Sequence, residues 1–504
     1  MEIENGRQTE ADPHIGDHDI VEASRALLET HHIDIIPENE RRGRPRDQFT
    51  LWFAANASVV AFVLGGLAIA FGLNLFWALV AIVVGNVLGA VLVSYHAWQG
   101  PRLGVPQMIQ SRGQFGFYGA GFIFLASILL DVGYMAASQV LQGQALNLWA
   151  PSVSIPWWII IATIPAVVVA IFGYRWIHNV QKVMTAIFMV VIAIALIQAA
   201  LYGPVAHESL GFGLSSFPIF IAVIGLVFMN MLSWAPYVSD YSRYLPVDVS
   251  FRRTFWAIFS GQILSMVPFM ALGAWVTALV PDAATNPLGA LSRVAGVWIL
   301  FFMALSQMAG VTLNAYSGMM ALASLGSDVE RFMEGKARQA VRVVGLLVLF
   351  AVGTILALLG YKTFLTSFEN FINVLLFFFV PWSAINLVDY YLIRHGHYDV
   401  RSFFTRRGIY GNIRWGASIV YVITLAVQVP FLEQTFYTGP LVKTLHGADI
   451  SWIVGFFLAS VLYFIVGKLG VAPEDSLDRG AISGAKSPGG GDDLTAPGPQ
   501  TDDA

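Results

Sequence analysis

The chain has 504 residues, no Cys, a formal net charge of −4, and 12% charged against 56% hydrophobic residues. A soluble protein carries roughly 25% charged residues, so a chain this poor in charge cannot cover its own surface in water and lipid must cover it instead. The absence of Cys excludes disulfides and thiolate metal sites, and the small net charge points to no nucleic acid or other polyanion as a partner.

Residues 1–49 are polar and lack the pattern of a cleaved leader. They read as a cytoplasmic N-terminal tail, with an amphipathic stretch near Ile20–Leu28. A spanning helix needs about 20 mostly apolar residues. Twelve such stretches follow, near 50–73, 75–98, 116–147, 155–173, 180–202, 215–237, 254–279, 295–323, 341–359, 364–394, 414–432 and 450–468. They are numbered below as spans 1 to 12. Each is apolar all round rather than alternating with period 2, which excludes a closed barrel. The prediction is an all-α polytopic membrane protein, because only helices satisfy their own backbone groups in lipid. Residues 472–504, rich in Gly, Pro, Asp and Ser, form a second tail that cannot bury enough surface to fold.

Orientation follows from Lys and Arg. With the N-terminus inside, twenty basic residues fall on the inner side, among them Arg41, Arg102, Arg112, Arg243, Arg342 and Arg394, and only Arg293, Lys362 and Lys443 fall outside. The positive-inside rule predicts this bias in a multi-pass cell-membrane protein, with both termini cytoplasmic.

Transporters build sites from helices interrupted at equivalent places in two repeats. Span 1 carries Asn56, Ser58, Gly65 and Gly66, and span 6 carries Gly225, Asn230, Ser233 and Pro236. Each opens a set of five spans, in residues 50–202 and 215–394. Five is odd, so the second set is inverted, and residues 414–468 add two further spans. Packing is the competing explanation of these small residues.

Span 3 holds Asp131, which is costly against lipid, with Tyr134 and Ser138 on one face. An aromatic ring and a hydroxyl one turn later suit a flat polar ligand, and equally suit core packing. Span 8 holds Ser306, Gln307, Thr312 and Asn314, and span 10 holds Glu369 and Pro381. The Asn314 amide offers a donor and an acceptor, either to a ligand or between helices.

Four strings carry a resemblance: RRGRPRDQFTLWFAANASVV at 41–60, GPRLGVPQMIQSRGQFGFYGA at 100–120, SWAPYVSDYSRYLP at 233–246 and VPWSAINLVDYYLIRHGHYDV at 380–400. Over about residues 40–470 the chain resembles the purine–cytosine permease branch of the nucleobase:cation symporter family. The resemblance implies a five-plus-five inverted repeat followed by two helices, in agreement with the independent count. It implies a heterocycle held between spans 3 and 6, with Tyr134, Ser138, Asn230, Met231 and Asn314 at the contact positions beside Asn56 and Ser58 of span 1. Tyr134 stands where Trp is usual, Ser138 where an amide is usual and Met231 where an aromatic is usual. A sodium site would use backbone near Asn56 and Val59 and span 8 hydroxyls, but Ala309 and Gly310 stand at the corresponding turn and the nearest hydroxyls are Ser306 and Thr312. That favours a proton, with Asp131 and Glu369 as carriers.

The expected function is therefore secondary active import of a nucleobase or related flat heterocycle by cation symport, proton-coupled, with no cofactor. The alternatives are a sodium-coupled symporter of an allantoin-, hydantoin- or vitamin-like ring and, further off, a polytopic membrane enzyme. Against the enzyme, the intramembrane acids are scattered rather than clustered.

Overall fold

The computed structural model describes residues 33–280, 282–327, 335–434 and 436–470, without the side chains at 208, 335–338, 364–367, 369, 373, 376 and 470. The amphipathic stretch at Ile20–Leu28, the C-terminal tail and the Glu369 side chain lie outside the described residues.

Span 1 is two helices, Pro45–Asn56 and Val59–Ala70, bent by 57°. Pro45 opens the first half, and the Asp47 carboxylate accepts the Arg44 N–H at 3.0 Å; both are natural at a helix start. The helix stops at Ala57, and the extended Ser58 starts a new one by accepting the Ala61 N–H on Oγ at 3.2 Å. Span 2 is Leu75–Leu103, ended by Gly104 at φ 70°, the left-handed conformation that glycine supplies at a helix end. Two short helices, Gln107–Gln110 and Arg112–Phe115, lead to span 3, Gly121–Trp149. Spans 4 and 5 are Ile155–Phe172 and Tyr174–Tyr202. Span 6 runs as Phe217–Leu232, breaks at Ser233–Trp234, and resumes as a 3-10 turn at Ala235–Tyr237 and a helix at Val238–Ser242. Spans 7 to 9 are Phe251–Leu279, Trp298–Leu325 and Gly335–Gly360. Span 10 is Phe364–Val388, continued by a π turn at Asp389–Ile393.

Among the described residues ten helices are long and apolar enough to cross a membrane, and the bent pair of span 1 makes eleven. The remaining expected span, span 11, is the helix Trp415–Gln428 with a 3-10 turn at Val429–Phe431, short for a full crossing. After a small hairpin pairing Glu433–Gln434 with Tyr437–Thr438, span 12 is Ser451–Gly470.

The packing carries the symmetry of two related halves. Span 2 packs on span 6, as span 7 packs on span 1; span 3 packs on span 9, as span 8 packs on span 4. Equivalent spans also meet directly, 2 with 7, 3 with 8 and 4 with 9. Small residues permit the closest crossings. A Cβ on Gly65 would lie 1.8 Å from the Met270 carbonyl oxygen, and one on Gly273 would lie 1.8 Å from that of Phe62. Gly65 and Gly66, expected as part of an interruption, therefore serve packing between spans 1 and 7. The break itself falls a few residues earlier, at Ala57–Ser58.

The described basic residues assigned to one side do gather at one end of the bundle, and four of them are structural ties rather than solvated charges. Arg41 donates to the carbonyls of Ile36 and Pro101, Arg112 to those of Phe403 and Ser324, and Arg243 to that of Asp34. Arg342 donates to Ala170 and Ile171, the last turn of span 4, where a cation also suits the helix dipole. All four are buried. This end is called the arginine-rich face below.

Candidate functional site

The two helix breaks lie in the core of the bundle, where spans 1, 3, 6 and 8 meet. At the span 1 break, the Val59 N–H has no partner within its own helix and donates to Gln307 Oε1 of span 8 at 3.0 Å. Asn56 turns its amide N–H back onto the Trp52 carbonyl at 2.8 Å, and its Oδ1 is buried without a partner. Gln307 Nε2 is likewise buried and unpartnered. An acceptor and a donor are thus left unsatisfied on the two residues that line this break. Buried polar groups in that state are costly, and a polar group brought to this break would relieve that cost.

At the span 6 break, Ser233 Oγ donates to the Asn230 carbonyl at 2.8 Å and tightens the turn. The Asn230 side chain reaches across the bundle, where the Tyr134 hydroxyl of span 3 donates to its Oδ1 at 3.4 Å. Three residues past the break, the Tyr237 hydroxyl donates to Asn314 Oδ1 of span 8 at 3.0 Å. Two phenol–amide pairs therefore stitch span 6 to spans 3 and 8. Trp234 stands in the break itself, edge-on to Trp52 of span 1 and to Tyr237 at centroid distances of 5.4 and 5.6 Å. The ring of Tyr134 is itself boxed by Phe368 and Phe371 of span 10, both edge-on at 5.9 and 5.5 Å.

Of the predicted contact residues, Tyr134, Asn230 and Asn314 join this constellation directly. Ser138 lies one turn along span 3, with its Oγ 3.8 Å from where a Cβ on Gly310 would stand. Asn56 and Ser58 flank the first break. Met231 is placed elsewhere: its Cβ and Cγ lie within 2.6 and 2.8 Å of where a Cβ on Gly89 would stand, so it fills the crossing of spans 6 and 2. Residues 230 and 231 are about 100° apart around the helix, and Asn230 takes the inward direction. Gln307, Trp234 and Tyr237 belong to the site without having been singled out as contacts. Gln307 was legible as an amide in a spanning helix, and the two aromatics as part of the string at 233–246.

The cation candidates are dispersed. Ser306 and Thr312 donate their hydroxyls to Met303 and Met308 of their own helix, at 2.7 and 2.8 Å. They are six residues apart, about 120° around the helix and roughly 9 Å along it, so they do not converge on one ion. The Ala309 carbonyl between them accepts from Gln181 Nε2 of span 5 at 3.4 Å. Asp131 is buried beside Gly318 of span 8 and Leu349 of span 9. The Ser127 hydroxyl, one turn before it, is the one donor near its carboxyl, and no ion pair reaches it among the described residues. Glu369 lies on span 10 with its side chain outside the described residues.

Between this constellation and the arginine-rich face lies a buried amide network. His96 Nε2 meets Ser383 Oγ at 2.8 Å and its ring stacks on Trp382 at 5.0 Å. Gln99 donates to Asn386 at 2.7 Å, Asn386 to Gln114 at 3.3 Å, and Gln107 to Gln99 at 3.3 Å. The Asp389 carboxylate closes the network, accepting from Gln114, Tyr398 and, at 2.8 Å, Tyr463 of span 12, and pairing with Arg394 at 3.2 Å. His96 is thus a core residue, against the solvated position its place near the end of span 2 suggests. The network seals spans 2 and 10 together at this end.

Comparison with known proteins agrees with this architecture. Residues 35–455 match the family described as permeases for cytosine/purines, uracil, thiamine and allantoin. A putative purine-cytosine permease of Bacillus subtilis is 38% identical over 88% of this chain and 96% of its own length. A purine-cytosine permease of Emericella nidulans is 26% identical, covering 82% and 83%. Among solved structures, a nucleobase-cation-symport-1 family transporter in a closed conformation with bromovinylhydantoin bound superposes with a TM-score of 0.71 at 20% identity, covering 88% of this chain and 96% of that one. The fold extends to a sodium-coupled sialic acid symporter, with a TM-score of 0.57 at 12% identity over 89% and 93%. With half of its length and more accounted for by one family model, the chain belongs to the purine–cytosine permease branch of the nucleobase:cation symporter family and is a membrane transporter, not an enzyme.

Proposed function

We propose that the chain imports a nucleobase-like heterocycle through the constellation of Tyr134, Asn230, Tyr237 and Asn314, coupled to protons rather than sodium. The observation that carries the substrate class is the pair of phenol–amide bonds on either side of the span 6 break. A carboxamide offers adjacent donor and acceptor groups, which match the N–H and C=O edges of a pyrimidine or purine. Exchange of a Tyr partner for a ligand edge keeps those groups satisfied, so an occupied and an unoccupied site differ little in polar cost.

Proton coupling rests on what surrounds the span 1 break. Sodium is a hard cation that needs several converging oxygens. Here the space between the break and span 8 holds the amide groups of Gln307 and Gln181, and the span 8 hydroxyls Ser306 and Thr312, about 120° and roughly 9 Å apart on their helix, do not converge on one ion. Asp131 offers the complementary feature: a buried carboxyl with no cation paired to it among the described residues and only the Ser127 hydroxyl as a near donor. Such a carboxyl costs several kcal/mol to hold as an anion, and a proton removes that cost. Binding and release of that proton would bias the bundle between its two states.

We place the arginine-rich face in the cytoplasm on the positive-inside rule, with both termini there. The amide network that joins spans 2 and 10 then closes the cytoplasmic side, and import requires its opening. The deciding experiment is uptake of radiolabelled cytosine and adenine into proteoliposomes under imposed gradients. Accumulation driven by an inward proton gradient, abolished by a protonophore and unchanged by sodium, is the expected result. Accumulation that requires sodium would overturn the coupling, and failure to accumulate any nucleobase would overturn the substrate class.

A further inference from the structure

We propose that the chain has a second, shallower binding site for its cargo, a vestibule at the face opposite the arginine-rich one, where the heterocycle docks before reaching Tyr134 and Asn230. This rests on the nucleobase reading above. A cavity of about 370 Å³ lies there, lined by the ends of spans 3 and 4, the segment before the helix Pro287–Ala295, and the turn between spans 9 and 10. Small-molecule sites occupy roughly 300–1,000 Å³, so one planar heterocycle fits.

Two independent observations point to that ligand. The first is position. The cavity wall starts at Leu141, and Tyr134, Ser138 and Leu141 follow at helical spacing along one face of span 3. Leu141 stands about 10 Å beyond Tyr134 at 1.5 Å per residue. The vestibule and the central constellation therefore share one stripe of one helix.

The second is chemistry. Gln144 donates its amide N–H to the Tyr361 carbonyl at 3.3 Å, and Asn147 donates to that of Val153 at 2.8 Å. Those bonds fix both carboxamides and leave their carbonyl oxygens without a partner among the described residues. Asn286 has the opposite arrangement: its Oδ1 accepts the Gly289 N–H at 3.0 Å, and its amide N–H groups have no partner among the described residues. Lys362 adds an ammonium 5.8 Å from the Tyr361 ring. No acid lines the cavity among the described residues, so a cationic ligand finds no counter-charge. Two fixed acceptors, one fixed donor and one cation complement a neutral ring that carries N–H beside C=O. That is the same edge pattern the central amides read, which makes the vestibule a first reading of the cargo.

The test exploits the absence of Cys. In the full-length protein, Leu148→Cys places a single thiol in the cavity wall, to be labelled with a membrane-impermeant maleimide. Cytosine and adenine are the probes. Both are expected to slow labelling several-fold, and to do so equally when Asn314→Ala has disabled the central site. Lys362→Gln, an exposed substitution that leaves the fold intact, is expected to raise the KM of uptake several-fold with the maximal rate unchanged. Protection that disappears with Asn314→Ala would assign it to the central site and overturn the proposal, as would no protection at all in a chain that transports cytosine. If neither probe is accumulated by the unaltered chain, the nucleobase reading fails first and the vestibule with it, and the uptake assay tells the two failures apart.

Discussion

Replacement of Asn314 by Ala tests the centre of the site most directly. The side chain is 3% exposed, and its Oδ1 holds the hydroxyl of Tyr237, itself 2% exposed, at 3.0 Å. Removing the amide strands a buried phenol donor, which costs about 1–3 kcal/mol. Tyr237→Phe removes the donor and strands the amide oxygen instead, whereas the double variant strands neither. A double-mutant cycle on thermal stability in detergent should therefore show the second substitution costing less than the first, with a coupling of about 1 kcal/mol or more. Transport separates the two residues. If the amide also reads the cargo, Asn314→Ala forfeits a ligand hydrogen bond in addition and leaves a ligand group unpaired. At about 1.4 kcal/mol per decade, a loss of about 1–3 kcal/mol raises the KM of nucleobase uptake roughly 5- to 150-fold. Tyr237→Phe keeps the amide and should change KM far less. Uptake kinetics on reconstituted, folded protein measure both. If Asn314→Ala leaves both KM and stability unchanged, or if the cycle is strictly additive, the phenol–amide pair is not part of the site.

Three further outcomes follow from the same geometry. Asp131→Asn should leave cytosine binding and cytosine–cytosine exchange largely intact while abolishing accumulation driven by a proton gradient; full accumulation in that variant would remove Asp131 from the coupling. Gly273→Val must push its side chain clear of a carbonyl oxygen that already lies 1.8 Å from the Cβ position, so spans 1 and 7 have to part by about 1.5 Å, with a loss of about 1–3 kcal/mol or more; a normal melting temperature would contradict the crossing. Burial raises the pKa of Asp449, in the loop before span 12, above the ordinary carboxylate value, and the N–H groups of Glu433 and Ser451 that its carboxylate accepts offset this only in part. The folded loop then holds its proton more tightly than the unfolded one, so its stability is greatest at acid pH and falls as pH rises through the raised value. Hydrogen exchange of the 432–450 segment, corrected for intrinsic rate, should show greater protection at lower pH, and Asp449→Asn should flatten that dependence.

The spans were legible because hydropathy is a sum over neighbouring residues, and lipid imposes a length that the sum reveals. The gathering of the basic loops at one end was legible for the same reason, since each added span reverses the side. Residue contacts were less accessible. A helix that is apolar all round offers no polar face from which to read its rotation, so residues 230 and 231 were equal candidates until Gly89 of span 2 was found to need the Met231 side chain. Ser306 and Thr312 were candidate ion ligands by composition, and only the helix carbonyls beside them show where their protons go. Gln307 reads in the sequence as one more amide in a spanning helix, yet it satisfies the backbone N–H that the span 1 break releases, a need that exists only once the chain has bent there.

The amino-acid sequence by itself determined that this chain lives in a membrane, where its apolar helices fall, which loops lie together and to which family of permeases it belongs. These are properties of composition, spacing and local strings, and they survive without knowledge of any contact. The tertiary structure alone decided which polar groups are left unsatisfied at the span 1 break, which glycines exist for packing, and which arginines are structural ties. Those depend on the rotation of each helix against its neighbours, set by close-packed crossings between residues as far apart in sequence as Gly65 and Met270.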